Sequence, residues 1–304
     1  MSGPHPAVFV AGFPKCGSTS LFDWLVAHPE LARPSVKEPH YYIDPAMPLK
    51  RNPPGLPTAP NDPIEDYLAL WGDAPGLRVD GTPFSLYYPQ AVEAIAESTD
   101  TRCVLAVIRR PADRILSLFR YAQHNSAVVG ASLSFGDFVD RIRANDPAFA
   151  HTRQLALAFE HSDYVPYLGR ARDRLGGRLR VVRFEDLADP LSLCQSVADD
   201  IGIDRSFYEG YDFPIGNPTR VVRSQAIQRL RRRLVRDTIQ RGSSLRRLGR
   251  HIYDVVNTTE TPPNRDDPTV PETLRSIDEQ MTPAVNRLAA DFGLDLDHWV
   301  EPRD

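Results

Sequence analysis

The chain has 304 residues, 41% of them hydrophobic, enough for a sizeable core, and a formal charge of −4 that excludes binding to nucleic acid through bulk positive charge. Its three cysteines, Cys16, Cys103 and Cys194, are too few and scattered for a disulfide framework and lack C-x-x-C metal spacing, which favours a reducing compartment. The N-terminal residues 1–7 carry no basic flank and no long apolar run, so neither a signal peptide nor a membrane anchor is expected, and the simplest location is cytoplasmic.

Ala7 to Ala11 is short, apolar and rich in β-branched and aromatic residues, the pattern of a buried strand. From Leu21 apolar residues recur at helical spacing through Phe22, Trp24 and Leu25 until His28-Pro29. Between them lies a loop with Gly12, Pro14, Lys15 and Gly17, and the helix opens on Ser18, Thr19 and Ser20. Such a loop aims its amides and the helix's first N–H groups at one spot, where the macrodipole is also positive, and so cradles a phosphate. The G-x-x-x-x-G-K-[ST] loop of nucleotide-triphosphate enzymes places Lys directly after the second Gly. Here Ser18 holds that place and Lys15 precedes Gly17, which suits a metal-free cradle with the ammonium near a terminal group that is transferred.

Phe13-Pro-Lys-Cys-Gly-Ser-Thr-Ser-Leu21 resembles the 5′-phosphosulfate loop of sulfotransferases that use 3′-phosphoadenosine 5′-phosphosulfate (PAPS). That resemblance implies that Lys15 contacts the oxygen bridging phosphate and sulfonate, while Cys16, Gly17, Ser18, Thr19 and Ser20 hold the 5′-phosphate. Next comes Arg33-Pro-Ser-Val-Lys-Glu-Pro-His-Tyr-Tyr-Ile-Asp44, stiffened by Pro34 and Pro39, with a carboxylate and an imidazole two residues apart on extended chain. On its own the segment also reads as a solvated loop with a Lys–Glu pair. It is similar to the Lys-Glu-x-His stretch of heparan-sulfate-type carbohydrate sulfotransferases, which implies that Glu38 is the general base, with His40 as its rival and Lys37 near the sulfonate.

Prolines crowd residues 44–63, too many for a core helix or central strand. Ile64 to Trp71 reads as a short helix and Leu77-Arg-Val-Asp80 as a second buried strand. The following Gly81-Thr-Pro-Phe-Ser-Leu-Tyr-Tyr-Pro89 is similar to the family's Ser/Thr-Pro-x-Tyr segment and makes Thr82, Phe84, Tyr87 and Tyr88 candidate acceptor contacts, although Phe and Tyr pack cores just as often. Pro89 to Ser98 reads as a helix and Arg102 to Ile108 as the clearest strand. Kinases and GTPases commonly end such a strand in an Asp that organises Mg²⁺; here Arg109 and Arg110 stand there, before Pro111 at a first helical turn. Arg109 followed eight residues later by Ser117 resembles the 3′-phosphate motif of the same sulfotransferases.

Beyond Tyr121 the chain reads as mostly helical: Phe135 to Ile142 is amphipathic, another helix follows His161, and Leu179 to Arg183 reads as a strand. It leads into Phe184-Glu-Asp-Leu187, which resembles a framework segment of the same family and so implies a framework role for Glu185. Strands alternating with helices predict an α/β protein: a P-loop-like three-layer fold whose central parallel sheet is flanked by helices, with its ligand at the strands' carboxyl ends. One domain over 1–304 is expected. Its one strong charge run follows Gly216 and is either a solvated helix face, a holder of the 3′-phosphate of PAPS, or an attractor of an anionic acceptor; the resemblance, in which a basic segment after the core closes over the cofactor, implies Arg220 and Arg223 as cofactor contacts. Pro271 onwards predicts a long amphipathic helix and a packed tail ending near Trp299. The resemblance implies sulfonate transfer from PAPS, with adenosine 3′,5′-bisphosphate as product, to a hydroxyl of a sugar, glycosylated metabolite or other small natural product; the loop, the net charge and the lack of a long apolar run lead us to expect no metal, no nucleic acid and no membrane. The alternatives are a nucleoside-type kinase and a non-catalytic nucleotide-binding protein. The disulfide-bounded loop of secretory-pathway relatives is absent.

Overall fold

The computed structural model describes residues 5–44, 63–125, 128–130, 132–150, 152–214, 221–222, 258–259 and 267–303. Five strands, β1 (Val8–Val10), β2 (Leu31–Ala32), β3 (Leu77–Asp80), β4 (Cys103–Ile108) and β5 (Leu179–Arg183), form one sheet in the order β2-β3-β1-β4-β5. Every pairing in it is parallel. All residues of β1 and β4 are buried, as continuous apolar runs covered on both faces must be.

The helices in chain order are α1 (Ser18–Leu25), α2 (Ile64–Leu68), α3 (Pro89–Glu97), α4 (Pro111–Arg120), α5 (Phe135–Arg143), α6 (Arg153–Ala156), α7 (Val165–Leu175), α8 (Pro190–Ile201), α9 (Val270–Phe292) and α10 (Asp297–Val300). Proline stands in the first turn of α3, α4, α7, α8 and α9, where its missing N–H leaves no intrahelical bond unmade. The connection from β1 to β2 crosses the sheet in one direction and that from β3 to β4 in the other. Right-handed crossovers therefore put α1 and α3 on opposite faces, and α1 packs with α8 while α3 packs with α7. A second apolar cluster, built on Ile115, Phe119, Phe135, Phe138, Ile277 and Met281, joins α4, α5 and α9.

Two elements differ from the sequence-based expectation. β2 is only two residues long, below the length at which periodicity carries a signal, yet it pairs with β3 and closes the sheet's edge. After Arg120 the chain continues as a π-helical turn, Tyr121–Asn125, rather than as a regular helix. Residues 45–62 of the proline-rich stretch lie outside the described residues, as do Arg220, Arg223 and the arginine-rich segment that follows. Val221–Val222 (β6) is described, paired antiparallel with Thr258–Thr259 (β7) and lying against the turn 121–125. Among the described residues, no helix is long and apolar enough to cross a membrane.

Because all five strands run the same way, the segments leaving their carboxyl ends gather along one edge. The order reverses between β1 and β4, the place where open parallel sheets open a crevice for a ligand. Gly12, just beyond β1, sits so close to β4 that a Cβ there would run into the backbone nitrogen of Val107. Gly12→Ala should therefore destabilise the protein by about 1–3 kcal/mol, read as a lower midpoint in urea unfolding without a change of slope.

Candidate active site

The loop from Gly12 to Gly17 turns the chain sharply from β1 into α1. Gly17, the N-cap, is left-handed at φ 93°, and a Cβ on it would collide with Leu187, with Phe184 close behind. Lys15 is also left-handed at φ 74°, a conformation that L side chains adopt only under constraint. The first bonds of α1 run from the amides of Ser20 and Leu21 to the Gly17 carbonyl. The amides of Ser18 and Thr19 precede them, and no acidic side chain lies in the first turn, so this terminus is free of the carboxylate that would compete with an anion. Cys16 is the loop member whose side chain turns away. Its thiol is fully buried, 3.8 Å from the Tyr164 hydroxyl, and burial pushes its pKa up, so only its backbone remains for a ligand.

Beneath the loop lies a fully buried Arg114. Its Nε donates to the carbonyl of Pro14 at 3.1 Å, Nη1 to the Ser162 hydroxyl at 2.7 Å and to the Ala158 carbonyl at 3.2 Å, and Nη2 to the Tyr87 hydroxyl at 3.0 Å. Tyr87 is held in that cluster, its ring stacked on His161 at 4.0 Å and edge-on to Phe13. Sequence reasoning missed Arg114, although an arginine on the apolar stripe of α4, in line with Pro111 and Leu118, was the available sign.

The two arginines after β4 part company. Arg109 sends Nη1 to the Lys15 carbonyl at 3.4 Å and lies over the Phe184 ring, 4.2 Å from its centroid. Arg110 turns the other way and grips Asp278 of α9 with Nε at 3.0 Å and Nη2 at 2.9 Å. Ser117 is half-buried two turns along α4, and one turn further the Tyr121 ring carries the Lys15 ammonium 4.0 Å from its centroid. Lys15 and Arg109 are thus brought together, with Phe184 and Tyr121 as aromatic neighbours that no motif announced. Glu185 accepts a hydrogen bond from the buried Trp299 indole at 3.0 Å, a framework contact.

A second group forms where β3 ends. Asp80, fully buried and with its pKa raised by burial, accepts from the Tyr67 hydroxyl and from the Thr82 amide, each at 2.7 Å. The Thr82 hydroxyl accepts from the His40 amide at 3.2 Å, and the His40 ring stands edge-on to Phe84. His40 is left-handed at φ 58°, and its Nε2 lies 3.3 Å from Glu38 Oε2. The structure therefore unites Glu38, His40, Thr82 and Phe84, while Lys37 extends over the Phe22 ring of α1 at 5.6 Å. Tyr88 is buried at the start of α3, and Tyr87 belongs to the cluster around Arg114.

This architecture has a solved counterpart. The sulfotransferase from Alicyclobacillus acidocaldarius superposes with a TM-score of 0.65 over 98% of this chain and 100% of its own, at 19% identity. The chain has the sulfotransferase fold. A stretch of 66 residues is 39% identical to human carbohydrate sulfotransferase 15, with the same values for the rat and mouse proteins; it covers 22% of this chain and 11% of theirs. No family model matches the chain. In this chain the loop after β1 and the arginine after β4 meet beside the β1/β4 switch point, where Arg109 donates to the Lys15 carbonyl. Among the described residues no cluster of three or more His, Cys, Asp or Glu side chains is placed to hold a metal ion.

Two measurements test this geometry apart from any activity. Removing Arg110 leaves the largely buried Asp278 with only Arg303, so Arg110→Ala should cost about 3 kcal/mol in urea unfolding, at the lower end for a broken buried pair. The buried His161 ring, whose Nδ1 has no hydrogen-bond partner among the described residues, has its pKa pushed down to about 3 by burial and by Arg114 and Arg153. Above its unfolded value near 6.5 the ring is neutral in both states. As pH falls below that value only the unfolded chain gains the proton, and stability is lost progressively toward pH 3. Between pH 6.5 and 5 the protein should lose about 1–2 kcal/mol more than its His161→Phe variant.

Proposed function

We propose that the chain transfers the sulfonate group of PAPS to a hydroxyl of a sugar, glycosylated metabolite or other small natural product. The observation that carries this reading is the meeting, at the β1/β4 switch point, of an acid-free helix N-terminus with Lys15 and with Arg109, whose guanidinium donates to the Lys15 carbonyl. The amides of the 15–19 segment and the hydroxyls of Ser18, Thr19 and Ser20 hold the 5′-phosphate end, and Arg109 with Ser117 holds the 3′-phosphate. Arg110, tied to Asp278, is left out of the site.

Glu38 and His40 act as a pair. The His40 side chain is 1% exposed and that of Glu38 24%, so the carboxylate is the member an acceptor can reach, and the imidazole orients it from behind. As the acceptor oxygen attacks sulfur in line, its proton passes to Glu38. The new O–S bond forms while the bond from sulfur to the bridging oxygen breaks, and that oxygen keeps the electron pair. Lys15 stabilises the charge that grows there, from a position set in advance by the loop. Products are a sulfated acceptor and adenosine 3′,5′-bisphosphate. The three free, buried thiols suit a reducing, cytoplasmic setting.

Calorimetry in metal-free buffer with adenosine 3′,5′-bisphosphate, adenosine 5′-phosphate and, separately, ATP with Mg²⁺ tests the donor. Tight binding that requires the 3′-phosphate is expected; binding only of Mg²⁺-ATP would replace the reading with a kinase. In acceptor screens with labelled PAPS, Lys15→Ala should lose transfer by about 10²-fold or more while melting as the parent does, and undiminished transfer by that variant would remove the proposed mechanism.

A further inference from the structure

Asp113, Ser117 and Arg120 are half-buried positions on a helix otherwise packed into the core, and their i, i+4, i+7 spacing sets them along one open face of α4. The Asp113 end is closed, its carboxylate accepting from Arg303 Nη1 at 3.0 Å. Arg120 stands at the other end. Among the described residues no ion pair or hydrogen bond holds its guanidinium. Burial first, and then the positive charge of Arg109, hold its pKa below the usual guanidinium range against the opposing pull of the Asp113 carboxylate. Lys15 rests on the ring of the next residue, Tyr121, and β6 lies against that same turn. Arg120, one turn beyond Ser117 on that face and with the Asp113 carboxylate already bound to Arg303, is poorly satisfied unless an anion joins it.

We propose that Arg120 is a specificity-determining residue, which with Arg109 and Ser117 clasps the ribose 3′-phosphate and makes the site prefer a nucleoside bisphosphate over a monophosphate. The inference rests on the donor reading above and adds to it a second guanidinium. Two planar forks can share the oxygens of a dianion, which one arginine and one hydroxyl leave partly unmet.

The test is calorimetry of the parent protein, Arg120→Gln and Arg120→Lys with adenosine 3′,5′-bisphosphate and adenosine 5′-phosphate. Arg120→Gln should bind the bisphosphate about 10- to 100-fold more weakly and the monophosphate within about twofold of the parent. Arg120→Lys, which keeps the charge and loses the fork, should fall between. Should Arg120→Gln fail to fold, the lysine variant decides: a reduced preference for the bisphosphate supports the clasp, and an unchanged preference overturns it. A preference intact in both variants overturns this inference alone. A parent protein with no preference overturns the donor reading and the clasp with it.

Discussion

The structure depends on burying the charge of Arg114 without a carboxylate. Desolvating a guanidinium is costly by several kcal/mol, and here neutral oxygens offset the loss: the Pro14 and Ala158 carbonyls and the Ser162 and Tyr87 hydroxyls. Each bond ties a different part of the chain to α4. The loop after β1 is pinned through Pro14, the residue before the strained Lys15; the segment leading to α7 through Ala158 and Ser162; and the turn after β3 through Tyr87. A carboxylate partner would have satisfied the arginine more cheaply, but it would also have cancelled its charge. Left unneutralised, that charge lies directly below the loop and adds to the field of the α1 terminus.

The pinned loop also explains how two adjacent arginines take opposite duties. Arg110 is extended at φ −42°, ψ 123° where the chain leaves β4 for Pro111, so its side chain and that of Arg109 leave on different sides. Arg110 finds Asp278, His298 and Glu301 and binds the end of the chain to the sheet. Arg303 repeats the pattern from the other direction through Asp278 and Asp113, and the Trp299 indole reaches Glu185 beyond β5. The tail thus consumes the carboxylates on its own side. Arg109 is left beside Lys15 with an aromatic ring beneath it, the surroundings in which a guanidinium keeps its donors directed at an anion.

How much of this was legible before folding follows from the range of each signal. β3 and β5 match their sequence-read spans, and β1 and β4 differ only at the ends, because apolar runs bounded by turn residues are local facts. The Gly12–Gly17 loop and the Arg109–Ser117 spacing are local as well. β2 was not legible: two residues carry no period, and Leu31 and Ala32 become a strand only because β3 offers them partners. Arg114 reads in sequence as one more charged residue of an amphipathic helix, and only its place on the apolar stripe betrays it. The divergence of Arg109 from Arg110, the Lys15–Tyr121 contact and the inward turn of Cys16 depend on segments distant in sequence or on a π-helical turn with no compositional mark.

The Glu38–His40 pair shows how a strained residue is held at a site. His40 has a left-handed backbone that costs about 1–2 kcal/mol for an L residue. What holds it begins at Asp80, whose buried carboxylate fixes the Thr82 amide and is itself capped by Tyr67. Thr82, locked also through Ser85, accepts from the His40 amide, and Phe84 supports the ring at its edge. Each of these bonds contributes about 1 kcal/mol net, so together they exceed the strain. With the backbone held and Phe84 at its edge, the ring places Nε2 3.3 Å from Glu38 Oε2. Asp80 thereby acts on the candidate base through geometry alone: it passes no proton, since its bonds run to a tyrosine hydroxyl and a backbone amide, but it decides where Nε2 points. A carboxylate oriented from below by a buried imidazole has little freedom left to lose when an acceptor arrives, and that prior ordering is the contribution a scaffold makes to proton removal.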